Sequence, residues 1–296
     1  MSKKMDEAKT ALAELLENAK IGNIIPIRLP RQIEEIQELL QEAEKEHTEE
    51  LEQLRNVPGG DAGQIILETA EFIKTAVHDL KNPLASIKGY GDMLNNPQMG
   101  GQLTPMQAQL LDVMRSNTKR MEALLSDVST INKIRAGLLR PNNKMDMFKN
   151  IAMNLEKQTG KLAQELNRQL EFEIPQGLPL LNTDGERMAE ALVKLIENGL
   201  KYSAEGEGKV TIRAKAENNT LIIEIEDNGC GMKPEELAQL GTMFFRADNE
   251  AVRAHKGSGL GIPIAYQVIE ILSGTIAVES ELGKGTKFTV TFEGMS

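Results

Sequence analysis

One cysteine in 296 residues, Cys230, rules out an internal disulfide and is consistent with a reducing compartment. Histidine is nearly as scarce. His47, His78 and His255 are scattered, and no Cys–His cluster has the spacing of a zinc site. No window holds eighteen consecutive apolar residues, so no segment reads as a membrane-spanning helix. The first residues, Met1-Ser2-Lys3-Lys4-Met5-Asp6-Glu7, turn acidic before any apolar run and do not form a signal peptide. Read as a complete chain, the protein is expected in the cytoplasm; read as a fragment, it could follow a membrane sensor. Positive charge is in deficit. A net charge of −10 argues against a nucleic-acid surface as the main business of the protein. What remains, 40% hydrophobic and 26% charged residues, is the composition of a globular protein long enough for two domains with cores of their own.

Residues 5–20 read as a short helix with Ala8, Leu12, Leu15, Leu16 and Ala19 on one side. After a break from Gly22 to Pro30, residues 31–56 carry a heptad pattern at Ile33, Ile36, Leu40, Ala43, His47, Glu50 and Leu54. This is a coiled-coil candidate; the polar seam positions His47 and Glu50 leave a single amphipathic helix open as the alternative. Pro58-Gly59-Gly60-Asp61-Ala62-Gly63 stops that helix and marks a hinge or domain boundary. A new helix starts near Gln64, with a seam at Ile66, Ala70, Ile73, Val77, Leu80, Leu84, Ile87, Gly91 and Leu94. Asn95-Asn96-Pro97 ends it, Gly100-Gly101 turns the chain, and Thr104-Pro105 caps a second helix of about 105–136. The second stripe is Leu110, Met114, Asn117, Met121, Leu124, Val128 and Ile131. Two such helices form an antiparallel hairpin. A lone hairpin leaves much of each stripe exposed, so a homodimer through residues 64–136, closing a four-helix bundle, is expected.

Beyond Arg140-Pro141-Asn142-Asn143 the texture changes. Helix is expected at 145–168, strand at 169–174 and helix at 184–202. Strands follow at 208–216 and 220–227, then a short helix from Pro234 and a helix at 259–273. Strands at 274–280 and 285–293 close the chain. Strands and helices mix without a regular βαβ repeat, so the fold class is α+β, ending in an α/β sandwich rather than a doubly wound sheet. The expected division is residues 1–63 for a helical coiled-coil relay, 64–140 for the hairpin and 141–296 for the sandwich.

Chemistry-bearing residues gather in both parts. His78 directly follows a seam residue, so it sits at the edge of the stripe and reaches solvent. Asp79 can accept the proton on one ring nitrogen, fix the tautomer and leave the other nitrogen as a nucleophile. Pro83 removes a backbone donor inside the helical pattern and loosens the helix one turn later. Asn82, four residues after His78, lies on the same face. It could position a water, or be a solvated polar residue. In the sandwich, Asp227-Asn228-Gly229-Cys230-Gly231-Met232 follows a strand and offers a carboxylate with close backbone approach, although Asp-Asn-Gly is also an ordinary turn. Gly257-Ser258-Gly259-Leu260-Gly261 opens a helix, a combination that binds phosphate. It lacks the Lys-Ser/Thr of a P-loop and the leading strand of a dinucleotide fingerprint. Lys256 and Arg246 could add positive charge. Asn198, with Lys201 and Tyr202 nearby on one helix, could ligate a magnesium ion bridging phosphates.

Taken in order, these motifs resemble a sensor histidine kinase of a two-component system over residues 64–296. His78-Asp79-Leu80-Lys81-Asn82-Pro83-Leu84 resembles the H box. Leu195-Ile196-Glu197-Asn198-Gly199-Leu200-Lys201-Tyr202-Ser203 resembles the N box. The Asp227–Met232 and Gly257–Gly261 segments resemble the two glycine boxes, Phe244-Phe245-Arg246-Ala247 the F box, and Gly283-Lys284-Gly285-Thr286 the last glycine motif. The resemblance implies a dimeric phosphoacceptor hairpin and an ATP-binding domain of the Bergerat fold shared with gyrase. It implies that His78 accepts the γ-phosphoryl group with Asp79 as base, and that Asn198 holds Mg2+. It implies that Asp227 binds the adenine amino group, with Tyr202 near the base. Residues 241–258 would be a mobile lid, and Gly229, Gly231, Gly257, Gly259, Leu260, Gly261 and Thr286 would line the nucleotide. The phosphoryl group would pass to the receiver domain of a response regulator, and Asp79 with Asn82 matches the family's phosphatase pattern. One position departs from the family. Lys194 stands four residues before Asn198, where the family usually has a further Asn. It could contact phosphate or spoil the metal site, which supports a pseudokinase scaffold as an alternative. The same change argues against a gyrase-like hydrolase, and an ATPase on the same fold is kept as a separate alternative. The first 57 residues are only loosely similar to a HAMP-type relay. A signalling coiled coil across the Pro58–Gly63 break is expected there.

Overall fold

The computed structural model describes residues 62–204, 206–255 and 257–295, with a few isolated helical positions before residue 43 (Glu7, Thr10, Ala11, Ala13, Glu14, Glu35, Glu38 and Glu42). The apolar positions expected for the first helix, the whole heptad seam and Lys256 lie outside the described residues. The chain divides into two units, Met1–Leu139 and Arg140–Ser296.

In the first unit, α1 (Ala62–Asn95) and α3 (Pro105–Arg135) form the hairpin. Ala62 and Gly63, expected in the break, already belong to α1. Period-3.6 placement of apolar residues fixes the packed faces: Ala70, Ile73, Val77, Leu80, Leu84 and Ile87 on α1 meet Met121, Leu124, Val128 and Ile131 on α3. Leu111 is buried, where the stripe expected Leu110, which is half-buried with Met114. Gly91 faces the side chains of α3; a methyl group there would lie 2.8 Å from Cε of Met114. Cross-hairpin contacts set the antiparallel register: Asn132 Nδ2 donates to Ala70 O at 2.8 Å, Lys88 pairs with Glu122 at 2.9 Å, and Arg115 with Asp92 at 3.1 Å.

The connection is built from local chemistry. Asn96 accepts from Gln98 N and starts the short α2 (Pro97–Gly100). Thr104 and Gln107 form a reciprocal capping box ahead of Pro105. Pro83 does not interrupt α1, which runs through it. The middle of the α1 stripe is already covered within a single chain, Leu80 and Leu84 being 2% and 1% exposed, while its last member, Leu94, is 47% exposed.

The second unit is a five-stranded sheet with helices on one face. In chain order it comprises β1 (Lys144–Met147), α4 (Phe148–Glu165), β2 (Gln169–Glu173), β3 (Leu180–Thr183), α5 (Gly185–Tyr202), β4 (Lys209–Glu217) and β5 (Thr220–Asp227). Then come α6 (Pro234–Leu237), α7 (Glu250–Ala254), α8 (Gly261–Ile271), β6 (Thr275–Glu281) and β7 (Gly285–Glu293). The sheet order is β2-β4-β5-β7-β6, with β2 and β4 parallel and the other pairs antiparallel. This is the expected α/β sandwich. Alternation along β4, β5 and β7 turns Ile212, Ile223, Ile225, Phe288 and Val290 toward α4, α5 and α8, whose Leu155, Leu192, Ile196 and Val268 complete the core. The opposite face carries cross-strand ion pairs, Lys209–Glu171 at 2.7 Å and Arg213–Glu173 at 3.0 Å among them. Such exposed pairs stabilise little, and they mark a solvated face.

Two differences from the expected elements stand out. The helix expected from 145 begins at Phe148, because residues 144–147 pair with β3 in a separate two-stranded sheet. The strand β3 and the short helix α7 were not expected.

Candidate active site

The candidate residues fall into two groups, one in each unit. In the hairpin, His78 lies on the outer side of α1 with its side chain 73% exposed, and its Nδ1 is 3.5 Å from Asp79 Oδ1. Exposure follows from register: Val77 and Leu80 face the core, so the residues between them face water. Asn82 is exposed one turn further on, and its backbone carbonyl accepts from Ser86 Oγ at 3.4 Å. Pro83 has no N–H, so the carbonyl of Asp79 lacks its usual helical donor there.

In the sandwich the remaining candidates converge around the C-terminal half of α5. Asp227 ends β5 and is pushed up to about 6 by burial, offset in part by backbone N–H donors from Gly229 and Thr286. Both donors address Oδ1, at 2.8 and 3.2 Å. Gly199 lets α5 approach this carboxyl, since a methyl group there would lie 3.1 Å from Cβ of Asp227. Asn228 fixes the neighbouring turn through Lys209 N and Glu207 O. Thr286 contributes its backbone N–H to Asp227, while its hydroxyl lies 2.9 Å from Ser280 Oγ.

The glycines divide by what surrounds them. Gly231 has φ +60 and a methyl group on it would sit 1.9 Å from Glu281 O; Gly259 has φ +72 and would press on the backbone of Phe244. These two are demanded by the fold itself. Gly229 is similarly confined, between Asp227 Oδ1 and Tyr202 O. Gly257 and Gly261 have room: the nearest atoms to an added methyl group are 4.0 and 3.7 Å away. Leu260 buries its side chain completely, so only its backbone faces the glycine segment, where its N–H donates to Ser258 Oγ.

Arg246 is placed differently from a phosphate ligand. Its guanidinium donates to the carbonyls of Val252, His255 and Gly257, and so ties the ascending and descending arms of the 246–257 segment together. Phe244, at φ +64, donates its N–H to Gly259 O at 3.2 Å and closes the same loop at its base. His255 packs edge-on to Tyr202, with ring centroids 6.1 Å apart. Burial and the charges of Arg168, Lys201 and Arg246 lower the His255 imidazole, and burial raises the Tyr202 hydroxyl. Arg168 had no motif to flag it, yet it belongs to this cluster, and its Nε is buried with no hydrogen-bond partner. Lys201 pairs with Glu197 at 2.8 Å. Asn198 is half-buried on the same helix. Among the described residues, no group of three or more His, Cys, Asp or Glu could hold a metal by itself.

Residues 68–137 match the His Kinase A (phospho-acceptor) domain, and residues 183–294 match the Histidine kinase-, DNA gyrase B-, and HSP90-like ATPase family. The chain belongs to the sensor histidine kinases. Similar curated kinases include the autoinducer 2 sensor kinase/phosphatase LuxQ of Vibrio vulnificus, 28% identical over 244 residues, covering 80% of this chain and 28% of that protein. The aerobic respiration control sensor protein ArcB of Escherichia coli is 28% identical over 229 residues, covering 76% of this chain and 28% of that protein. This kinase chain therefore spans under a third of the length of those relatives. Full-length ShkA in complex with AMPPNP shares the fold, with a TM-score of 0.62 and 21% identity over 75% of this chain and 45% of that one. The histidine kinase AdeS of Acinetobacter baumannii does so with a TM-score of 0.53 and 22% identity over 74% of this chain and 98% of that one. No helix among the described residues is long and apolar enough to cross a membrane.

Proposed function

We propose that this chain is an ATP-dependent protein-histidine kinase that phosphorylates itself on His78 and passes the phosphoryl group to an aspartate of a response regulator. The observation that carries the reading is an exposed histidine beside a carboxylate in a phospho-acceptor hairpin, in the same chain as an ATPase sandwich. On this reading residues 64–140 are the phosphoacceptor domain and 141–296 the catalytic domain.

The chain's own residues supply the steps. Asp79 lies beside Nδ1, holds the proton there and leaves the Nε2 lone pair to attack the γ-phosphorus of ATP. The bond to the β–γ bridging oxygen breaks, ADP leaves with that electron pair, and Asp79 stabilises the charged imidazole. Asp227 Oδ2, which takes neither of the backbone N–H bonds, accepts from the adenine amino group. The open positions Gly257 and Gly261 admit the phosphates to the start of α8. Asn198 would hold Mg2+ through its side-chain amide oxygen. A single amide oxygen suits an ion carried mainly by phosphates and water, and that ion neutralises the transferring group when bound. Asn82 orients a water against phosphohistidine or the regulator's phosphoaspartate in a phosphatase step. A second copy docks through residues 64–136. Tyr90, Met93, Leu94, Met99 and Met106, all exposed near the hairpin connection, give it apolar surface to cover.

Incubation with radiolabelled Mg-ATP tests this, wild type beside His78→Gln. The expected result is an acid-labile, alkali-stable label in wild type alone, which is then lost to an added receiver domain. Bound ATP without label would favour a scaffold. Steady phosphate release without phosphohistidine would favour an ATPase.

A further inference from the structure

We propose that Lys194 is a phosphate-binding residue of the nucleotide site, and that its charge makes nucleotide binding by this chain less dependent on a divalent metal. The proposal rests on the reading of residues 141–296 as an ATP site.

Helix α5 presents Lys194, Asn198 and Lys201 at i, i+4 and i+7, on one face. The two ends of that face meet different surroundings. The C-terminal end is the base end: Gly199 approaches Asp227, and Tyr202 stacks edge-on with His255. The N-terminal end meets the start of α8. A methyl group on Gly261 would lie 3.7 Å from Cδ of Lys194 and 3.9 Å from its Cβ. The aliphatic stem of Lys194 therefore passes directly over the first residue of that helix.

The α8 terminus is prepared for an anion. Its N-cap residue, Leu260, makes no side-chain cap hydrogen bond, and its first turn contains no acidic residue. The first N–H groups and the positive end of the helix dipole are thus not answered by a carboxylate of their own turn. Gly261 leaves the approach open. A phosphate seated there comes within reach of an ammonium on the Lys194 stem, and lysine serves as a point charge for phosphate. Lys194 already makes an interaction within the protein, which the nucleotide would share or displace. Lys201, the other cation of the face, is committed to Glu197 at 2.8 Å and lies at the base end. The polyphosphate tail at the α8 end thus finds a lysine one turn from Asn198. A resident positive charge does part of the work that a divalent ion does elsewhere along the tail.

The test measures binding, not turnover. The full chain is titrated with ATP and with adenosine, in Mg2+ and in excess EDTA. The comparison includes wild type, Lys194→Met, which keeps the stem over Gly261, and Lys194→Arg, which keeps the charge. Wild type is expected to hold ATP in EDTA within about fivefold of its affinity in Mg2+. Lys194→Met should lose about tenfold for ATP in EDTA, the loss of roughly one charge-assisted contact. It should bind adenosine like wild type, and Lys194→Arg should behave like wild type throughout. If Lys194→Met binds ATP in EDTA as tightly as wild type, with adenosine binding intact, the proposal is overturned and the ATP site stands. If no protein binds ATP or adenosine in either condition, the ATP-site reading falls and takes the proposal with it.

Discussion

Asp227 faces two opposed demands. Burial raises its carboxyl to about 6, so between the ordinary carboxylate range and that value the folded chain holds a proton that the unfolded chain has lost. Its contribution to stability is therefore present at low pH and drops out as pH rises through about 6. The proposed base recognition runs the other way, because the ionised carboxylate is the better acceptor for an amino group. Adenosine binding should weaken about tenfold from about pH 7.5 to about pH 5, following the ionised fraction of a group titrating near 6. Asp227→Asn should bind weakly at both values with a flat profile; calorimetric titration at the two pH values checks this. A flat profile in wild type would remove Asp227 from base recognition. Two glycines at the same site make a second contrast. Gly231→Ala puts a methyl group 1.9 Å from Glu281 O at φ +60, and should destabilise the sandwich by about 1–3 kcal/mol or more in urea unfolding. Gly261→Ala meets nothing closer than 3.7 Å, so it should melt like wild type while binding ATP several-fold more weakly.

At the scale of elements, Arg246 gathers the segment between itself and Gly257, alongside the local Arg253–Asp248 pair and the Asn249 cap. Three carbonyls, of Val252, His255 and Gly257, share the Arg246 guanidinium, so Arg246→Ala should release the segment as a unit. Limited proteolysis should then cut between residues 247 and 257 faster than in wild type, with the core strands still protected. Lysine in its place should restore little, since one ammonium does not reproduce a planar fork serving three acceptors. This latch was not legible in the sequence, where Arg246 reads as spare positive charge. Its partners are backbone carbonyls, and backbone acceptors leave no mark in residue identity. The strand β3 and helix α7 were illegible for a related reason. A four-residue strand declares itself only through its pairing with Lys144–Met147, and α7 rests on one Asn249 cap to Val252 N. By contrast, the hairpin could be read because Ala70 through Ile87 repeat on one helical face and Thr104-Pro105 spells out a cap. Strands β5 and β7 could be read because their apolar residues alternate. The candidate site was readable where side chains mark it, at His78 and Asp227. It was not readable at Thr286, which contributes its backbone N–H and entered only through the family resemblance.

At the scale of the whole molecule, the candidate acceptor and the candidate nucleotide residues are divided between two units of the chain. The hairpin and the sandwich are distinct units that meet in sequence at Leu139–Arg140, each with its own buried core. Every candidate nucleotide residue belongs to the second unit, and the candidate acceptor belongs to the first. Residues 140–296 produced alone should therefore fold and bind ATP within about twofold of the full chain, because domains with complete cores fold independently. They should be monomeric by light scattering, since the apolar surface proposed for dimerisation stays with the hairpin. Alone they should acquire no acid-labile label, having no His78. Added to full-length Asp227→Asn, whose own nucleotide site is disabled, they should label His78 on that chain, because acceptor and donor need only meet. A labelled 140–296 fragment would place an acceptor in the sandwich and overturn the assignment to His78. A fragment that fails to bind ATP would show instead that the sandwich depends on the hairpin for its site.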